Sequence, residues 1–135
     1  MRFTLLILVL AFVAGCAHDD ARLHGTWRSN RDATVAAAFQ RDSRWTNAPP
    51  ERVERFRDLF GHMTITYSNR VATADFRDKI ETFHYRVVRR GDDRVTLRSD
   101  GPFGDYRIRF VDGGESYWID SGFGIEERFD KVLSR

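Results

Sequence analysis

Met63-Thr64-Ile65-Thr66-Tyr67-Ser68-Asn69-Arg70-Val71-Ala72-Thr73-Ala74-Asp75-Phe76 decides the fold. Up to Ser68, apolar and polar residues alternate one for one, the period of a strand with one face in a core and the other in water. Ser68-Asn69 offers a turn, and Val71 to Phe76 resumes as a strand. Toward the C-terminus the same period recurs. Phe83, Tyr85 and Val87 alternate with His84 and Arg86, and Gly91-Asp92-Asp93 turns the chain into Val95 and Leu97. Asp100-Gly101 and Pro102 end that strand, after which Tyr106, Ile108 and Phe110 alternate with Arg107 and Arg109. Asp112-Gly113-Gly114 is a hairpin signal before Ser116-Tyr117-Trp118-Ile119. Ser121-Gly122 then turns into a last strand carrying Phe123, Ile125 and Phe129.

Toward the N-terminus, Leu23 to Ser29 reads as one more strand. Asn30 or Asp32 offers a cap for a helix over Ala33 to Gln40. Pro49-Pro50-Glu51 opens a second helix, with Val53, Phe56, Leu59 and Phe60 on one face and Gly61 to end it. The pattern predicts a mainly β domain: a small antiparallel up-and-down barrel of about eight strands, with a helix pair between strands 1 and 2. A sandwich is the alternative, because turn spacing alone does not separate the two. No repeat or linker divides the stretch 23–135, which reads as a single domain.

The leader has a different character. Arg2, an apolar run from Phe3 to Val13 and small residues at its end form a secretory signal peptide over 1–15, well short of the ~20 apolar residues of a spanning helix. Its ending, Val13-Ala14-Gly15-Cys16, resembles the lipobox of bacterial lipoproteins. That resemblance implies acylation of Cys16, a lipidated tether over 16–22, and attachment to the cell envelope through the lipid. Ala17 after the acylated Cys, rather than Asp, implies the outer membrane, facing the periplasm. Cys16 is also the sole cysteine, so no disulfide staples the mature fold. From Cys16 to Leu23, the first expected core residue, an extended tether reaches at most ~25 Å.

The formal net charge is +2, and removal of Arg2 with the leader lowers it further, so no basic surface predicts nucleic-acid binding. His18, Asp19, Asp20 and His24 carry metal-ligand chemistry but lack the preorganised spacing of a zinc site. His62 and His84 fall on different strands, without a recognisable Ser or Cys nucleophile, so neither a hydrolase triad nor another catalytic site is expected. No cofactor or metal is implied, and nothing in the pattern sets an oligomeric state.

Gly25-Thr26-Trp27 at the start of the first strand resembles the G-x-W motif of lipocalins and the wider calycin group. The resemblance implies that Trp27 plugs one barrel end with an Arg packed across it, and Arg128 is the matching candidate. The helix pair is similar to the lid of fatty-acid-binding proteins. Those have ten strands, however, and an Arg-x-Tyr where this chain has Arg128-Phe129-Asp130. Lysozyme-inhibitor lipoproteins are small barrels too, but carry paired cysteines. What the lipocalin-like resemblance implies is a non-enzymatic envelope lipoprotein binding a small hydrophobic or amphipathic ligand. The alternative is a protein-interaction or inhibitor module with a filled barrel.

Candidate ligand-binding residues are Phe56 and Phe60 on the second helix and the inward aromatics Phe83, Tyr85, Tyr106 and Phe110. Glu127 joins them, facing inward by parity with Ile125 and Phe129. The facing of Trp118 is open, because Tyr117 and Ile119 compete for the interior.

Overall fold

The computed structural model describes residues 18–102, 104–120 and 124–134. The leader, Cys16 and Phe123 lie outside the described residues. Eight strands form a closed antiparallel barrel: β1 (Gly25–Ser29), β2 (Met63–Ser68), β3 (Val71–Phe76), β4 (Lys79–Arg90), β5 (Arg94–Ser99), β6 (Tyr106–Val111), β7 (Ser116–Asp120) and β8 (Glu126–Lys131). Each strand pairs with its sequence neighbours. Closure comes from β1 against β8, with Trp27 opposite Lys131, Arg28 opposite Asp130 and Ser29 opposite Phe129. That ladder distinguishes a barrel from a sandwich and leaves no open sheet edge.

The turns follow from backbone chemistry. Asn69 and Arg70, at φ 47° and 65°, make a two-residue hairpin between β2 and β3. Arg77 and Asp78 (φ 50° and 67°) do the same between β3 and β4, without the glycine that usually marks such a turn. Strand β4 serves two neighbours in succession: residues 79–84 pair with β3, and the stretch from Tyr85 onward pairs with β5. A register shift between Val87 and Arg89 marks a bulge in its second half.

Two helices, α1 (Arg31–Arg41) and α2 (Pro50–Arg57), connect β1 to β2. Asn30, not Asp32, caps α1: its side-chain oxygen accepts the Ala33 N–H at 2.9 Å, so the helix starts two residues before Ala33. Thr34, fully buried, donates its hydroxyl to the Asn30 carbonyl at 2.7 Å and accepts the Arg128 N–H at 3.0 Å, tying α1 to β8. Pro50 occupies the first turn of α2, where no N–H partner is needed.

The first strand is shorter than expected. Ala21–Leu23 form one turn of 3-10 helix capped by Asp20, and β1 starts at Gly25 with φ +118°, a conformation that glycine adopts without strain. Residues 18–22 are therefore not a free tether. The His18 carbonyl accepts the Val87 N–H at 2.8 Å, and Asp19 takes the Tyr85 hydroxyl at 2.9 Å and the His24 ring at 2.7 Å. Asp20, 6% exposed, holds Arg22 at 2.8 Å and Arg90 at 3.0 Å. Burial alone would raise the Asp20 carboxyl, but the Arg22 and Arg90 guanidiniums and the Arg22 N–H outweigh it and hold the pKa below its ordinary value.

Candidate functional site

Alternation along the strands divides inside from outside, and what crosses the barrel axis divides its two ends. At the end where β1 begins, Trp27 is completely buried, 4.7 Å from the Tyr117 ring and 6.4 Å from Phe110. Its indole N–H donates to the Leu23 carbonyl at 2.7 Å, so the one polar atom of this plug is satisfied. Leu23, Val95, Leu97 and Ile108, all buried, belong to the same core as the ring.

The cation across this plug is not the expected one. Lys131 Nζ stands 5.3 Å from the Trp27 ring centroid, whereas the Arg128 guanidinium lies 6.0 Å from Trp118. The reason is strand parity: Glu127 and Phe129 face inward, which obliges Arg128 to face outward. There it binds Asp112 at 2.6 Å, Asp130 at 2.8 Å and the Ser116 hydroxyl at 2.9 Å. Trp118 is outward as well, opposite Arg109 and Arg128, and Tyr117 takes the interior.

The opposite end is covered by the helices rather than plugged by a strand residue. Phe56, Phe60, Val35 and Ala38 form a second buried cluster, with Phe39, Trp45 and Ile125 packed on it. Trp45 and Phe56 approach to 4.0 Å between centroids, and Phe56 and Phe60 to 5.3 Å. Beneath this aromatic layer is a cavity of about 570 Å³. That lies within the ~300–1,000 Å³ range of small-molecule sites. Trp45, Phe56, Leu59 and Phe60 cover it; Met63, Ile65, Phe76 and Phe83 form one wall, and Tyr106, Ile119, Ile125 and Phe129 the other. The polar chemistry on its lining comes from His62, Asp120, Glu127 and the Tyr106 hydroxyl.

Of the seven candidate ligand residues, Phe56, Phe60, Phe83, Tyr106 and Glu127 are brought together on this cavity. Tyr85 and Phe110 are not. Tyr85 sits edge-on to Tyr67 at 5.4 Å and sends its hydroxyl outward to Asp19, while Phe110 packs at the plugged end beneath the Arg22 guanidinium at 5.0 Å. Both face inward as their parity requires, but they stand too far down the barrel axis. Trp45, Met63, Ile65 and His62 line the cavity without having been singled out. For Met63 and Ile65, strand parity was the available signal; Trp45 lies on a single 3-10 turn, Ser43–Trp45, which no periodicity marks.

Glu127 is the distinctive group. Its carboxyl accepts the Ser29 hydroxyl, and Ser29 Oγ in turn accepts the Gly61 N–H at 2.9 Å. Burial pushes the Glu127 pKa up, opposed by the Ser29 hydrogen bond and by His62. His62 Nε2 stands 2.9 Å from the Asp58 carbonyl, to which its protonated form donates, and 3.2 Å from Arg31 Nη2, from which its unprotonated form accepts. Below the cavity the Tyr67 and Tyr106 hydroxyls share one hydrogen bond at 3.3 Å, and the buried Tyr117 hydroxyl lies close to the same pair. Burial raises all three phenols, so they serve as neutral hydroxyls.

Among the described residues, no three His, Cys, Asp or Glu side chains are grouped as for a metal. His84 pairs with Asp100 at 3.2 Å on the exposed surface, remote from His62. Comparison with family models, with curated proteins and with solved structures finds no match to this chain.

Proposed function

We propose that this protein is a membrane-anchored cell-envelope lipoprotein whose lipocalin-like barrel binds a small hydrophobic or amphipathic molecule under the helix pair. The observation that carries the binding reading is the apolar cavity of about 570 Å³, enclosed by α2 and the inward faces of β2, β3, β4, β6, β7 and β8. Apolar walls with a few convergent polar groups are the general form of a small-molecule site. The anchoring reading rests on Val13-Ala14-Gly15-Cys16 behind a short apolar leader. On this reading the protein is not an enzyme.

Titration of the neutral dye Nile red into the full chain tests the binding reading. The expected result is saturable micromolar binding that weakens when Ile119→Trp fills the cavity. Absence of saturable binding sinks the carrier and leaves the interaction module. That second reading has an observation of its own: Leu59 and Phe76 at the cavity are exposed apolar side chains. Labelling with radioactive palmitate tests the anchor, and Cys16→Ser should abolish it.

A further inference from the structure

We propose that the cavity selects a lipophilic amine, its ammonium group meeting the Glu127 carboxylate, and rejects carboxylate-headed amphiphiles from its interior. This rests on the ligand-binding reading above and adds the chemical class.

The argument starts from charge placement. The chain has 22 Lys and Arg residues, yet none of those among the described residues lines the cavity. The acidic lining groups are Glu127 and Asp120, and His62 is the one lining residue able to become cationic. The guanidiniums near the mouth have partners in the protein: Arg31 donates to the Phe60 carbonyl at 2.9 Å and stands 3.2 Å from His62 Nε2, and Arg77 donates to the Asp58 carbonyl at 2.9 Å. A fatty-acid head entering the cavity would find no guanidinium on its walls to receive it.

The hydrogen-bonding state of Glu127 points the same way. Oε1 is engaged by Ser29, and among the described residues Oε2 accepts no hydrogen bond. A carboxylate in apolar surroundings with spare acceptor capacity gains from an ammonium donor, which replaces the water that burial removed. A second carboxylate placed beside it instead meets like-charge repulsion in a low dielectric. The aromatic cover of Trp45, Phe56 and Phe60 suits the hydrocarbon part and offers π faces to a cation as well.

The experiment is displacement of Nile red from the full chain by dodecylamine, dodecanol and dodecanoate at neutral pH, in one fixed buffer. Dodecylamine should displace the dye at roughly tenfold lower concentration than dodecanoate, with dodecanol between, a spread of ~1.4 kcal/mol. Glu127→Gln should collapse that order, read as the ratio of the three displacing concentrations to one another and not as the level of Nile red binding. If Nile red binds and dodecanoate competes as well as dodecylamine, the selectivity is overturned and the carrier reading stands. If the order survives in Glu127→Gln, Glu127 is not its source. If Nile red does not bind at all, the carrier reading fails and takes this inference with it. The comparison of probes on the unaltered chain decides the matter even if the variant folds poorly.

Discussion

At the plugged end of the barrel a single Trp27 ring, 4.7 Å from Tyr117 and 6.4 Å from Phe110, fills the axis and is tied through its N–H to Leu23. At the helix-covered end, Trp45 and Phe56 pack on each other at 4.0 Å and roof about 570 Å³ of space. The same period-two strands build both ends. Strand alternation determines which side chains face inward; whether they meet depends on a residue that crosses the axis. β1 supplies one at its start, and at its far end supplies only Ser29, whose small side chain caps Glu127 instead of filling volume. The solid end therefore serves stability, and the hollow end is where we propose that a ligand binds.

Truncation should expose that division. Trp27→Ala is expected to cost ~3–5 kcal/mol, the range for losing a large buried aromatic, read as a lower urea midpoint. Phe56→Ala removes an equally buried ring, but one that roofs an existing space, so ~2–3 kcal/mol is expected, together with a clear loss of Nile red affinity. If Phe56→Ala proves as costly as Trp27→Ala and leaves dye binding unchanged, the contrast between the ends collapses.

Asp20→Asn tests the strap at the plugged end. Its guanidinium partners are a third to a half exposed, which discounts the pair, so ~1–2 kcal/mol is expected. Because the folded carboxyl sits below its unfolded value of 3.8, its contribution is present above that pH and fades as pH falls through the folded value. The acid limb of the stability curve should therefore flatten in Asp20→Asn. Lys131→Ala, which removes the cation over Trp27, should cost about 0.5–1 kcal/mol, and Arg128→Ala should leave the Trp27 fluorescence environment unaltered.

The smallest effect should come from the hollow end and should have the opposite sign. Burial raises the folded Glu127 pKa, so the stabilising contribution of its protonated form is full below the ordinary value of 4.5 and is lost as pH rises through the folded pKa. Glu127→Gln should accordingly be slightly more stable than the unaltered chain at neutral pH and indistinguishable from it in acid, by thermal melts across pH. A destabilised Glu127→Gln at neutral pH would mean that the Ser29–Glu127 link holds the rim together rather than merely equipping it.

Much of this architecture was legible because a strand has only two faces. Met63, Ile65 and Tyr67, Val95 and Leu97, and Tyr106, Ile108 and Phe110 all turn inward as their alternation requires. Parity does not measure depth along the axis, which is why Tyr85 and Phe110 could not be told from Phe83 and Tyr106. It also carried information that the motif overrode: once Glu127 and Phe129 are inside, Arg128 is outside, whatever a G-x-W pattern implies. The Arg77-Asp78 turn was silent because both residues adopt positive φ with no glycine to announce it. Trp45, the roof of the cavity, lies where neither strand nor helix period operates.

The docking of residues 18–22 also fixes where the chain leaves the barrel. His18 is fastened to Val87 and Asp20 to Arg90, both at the plugged end, so the chain leaves the barrel there. With the lipid on Cys16 that we propose, two residue steps separate it from His18, at most about 7 Å of chain. The barrel would then stand with its sealed base on the bilayer and its mouth turned to the aqueous compartment. Cargo could not slide sideways from the anchoring leaflet into the cavity.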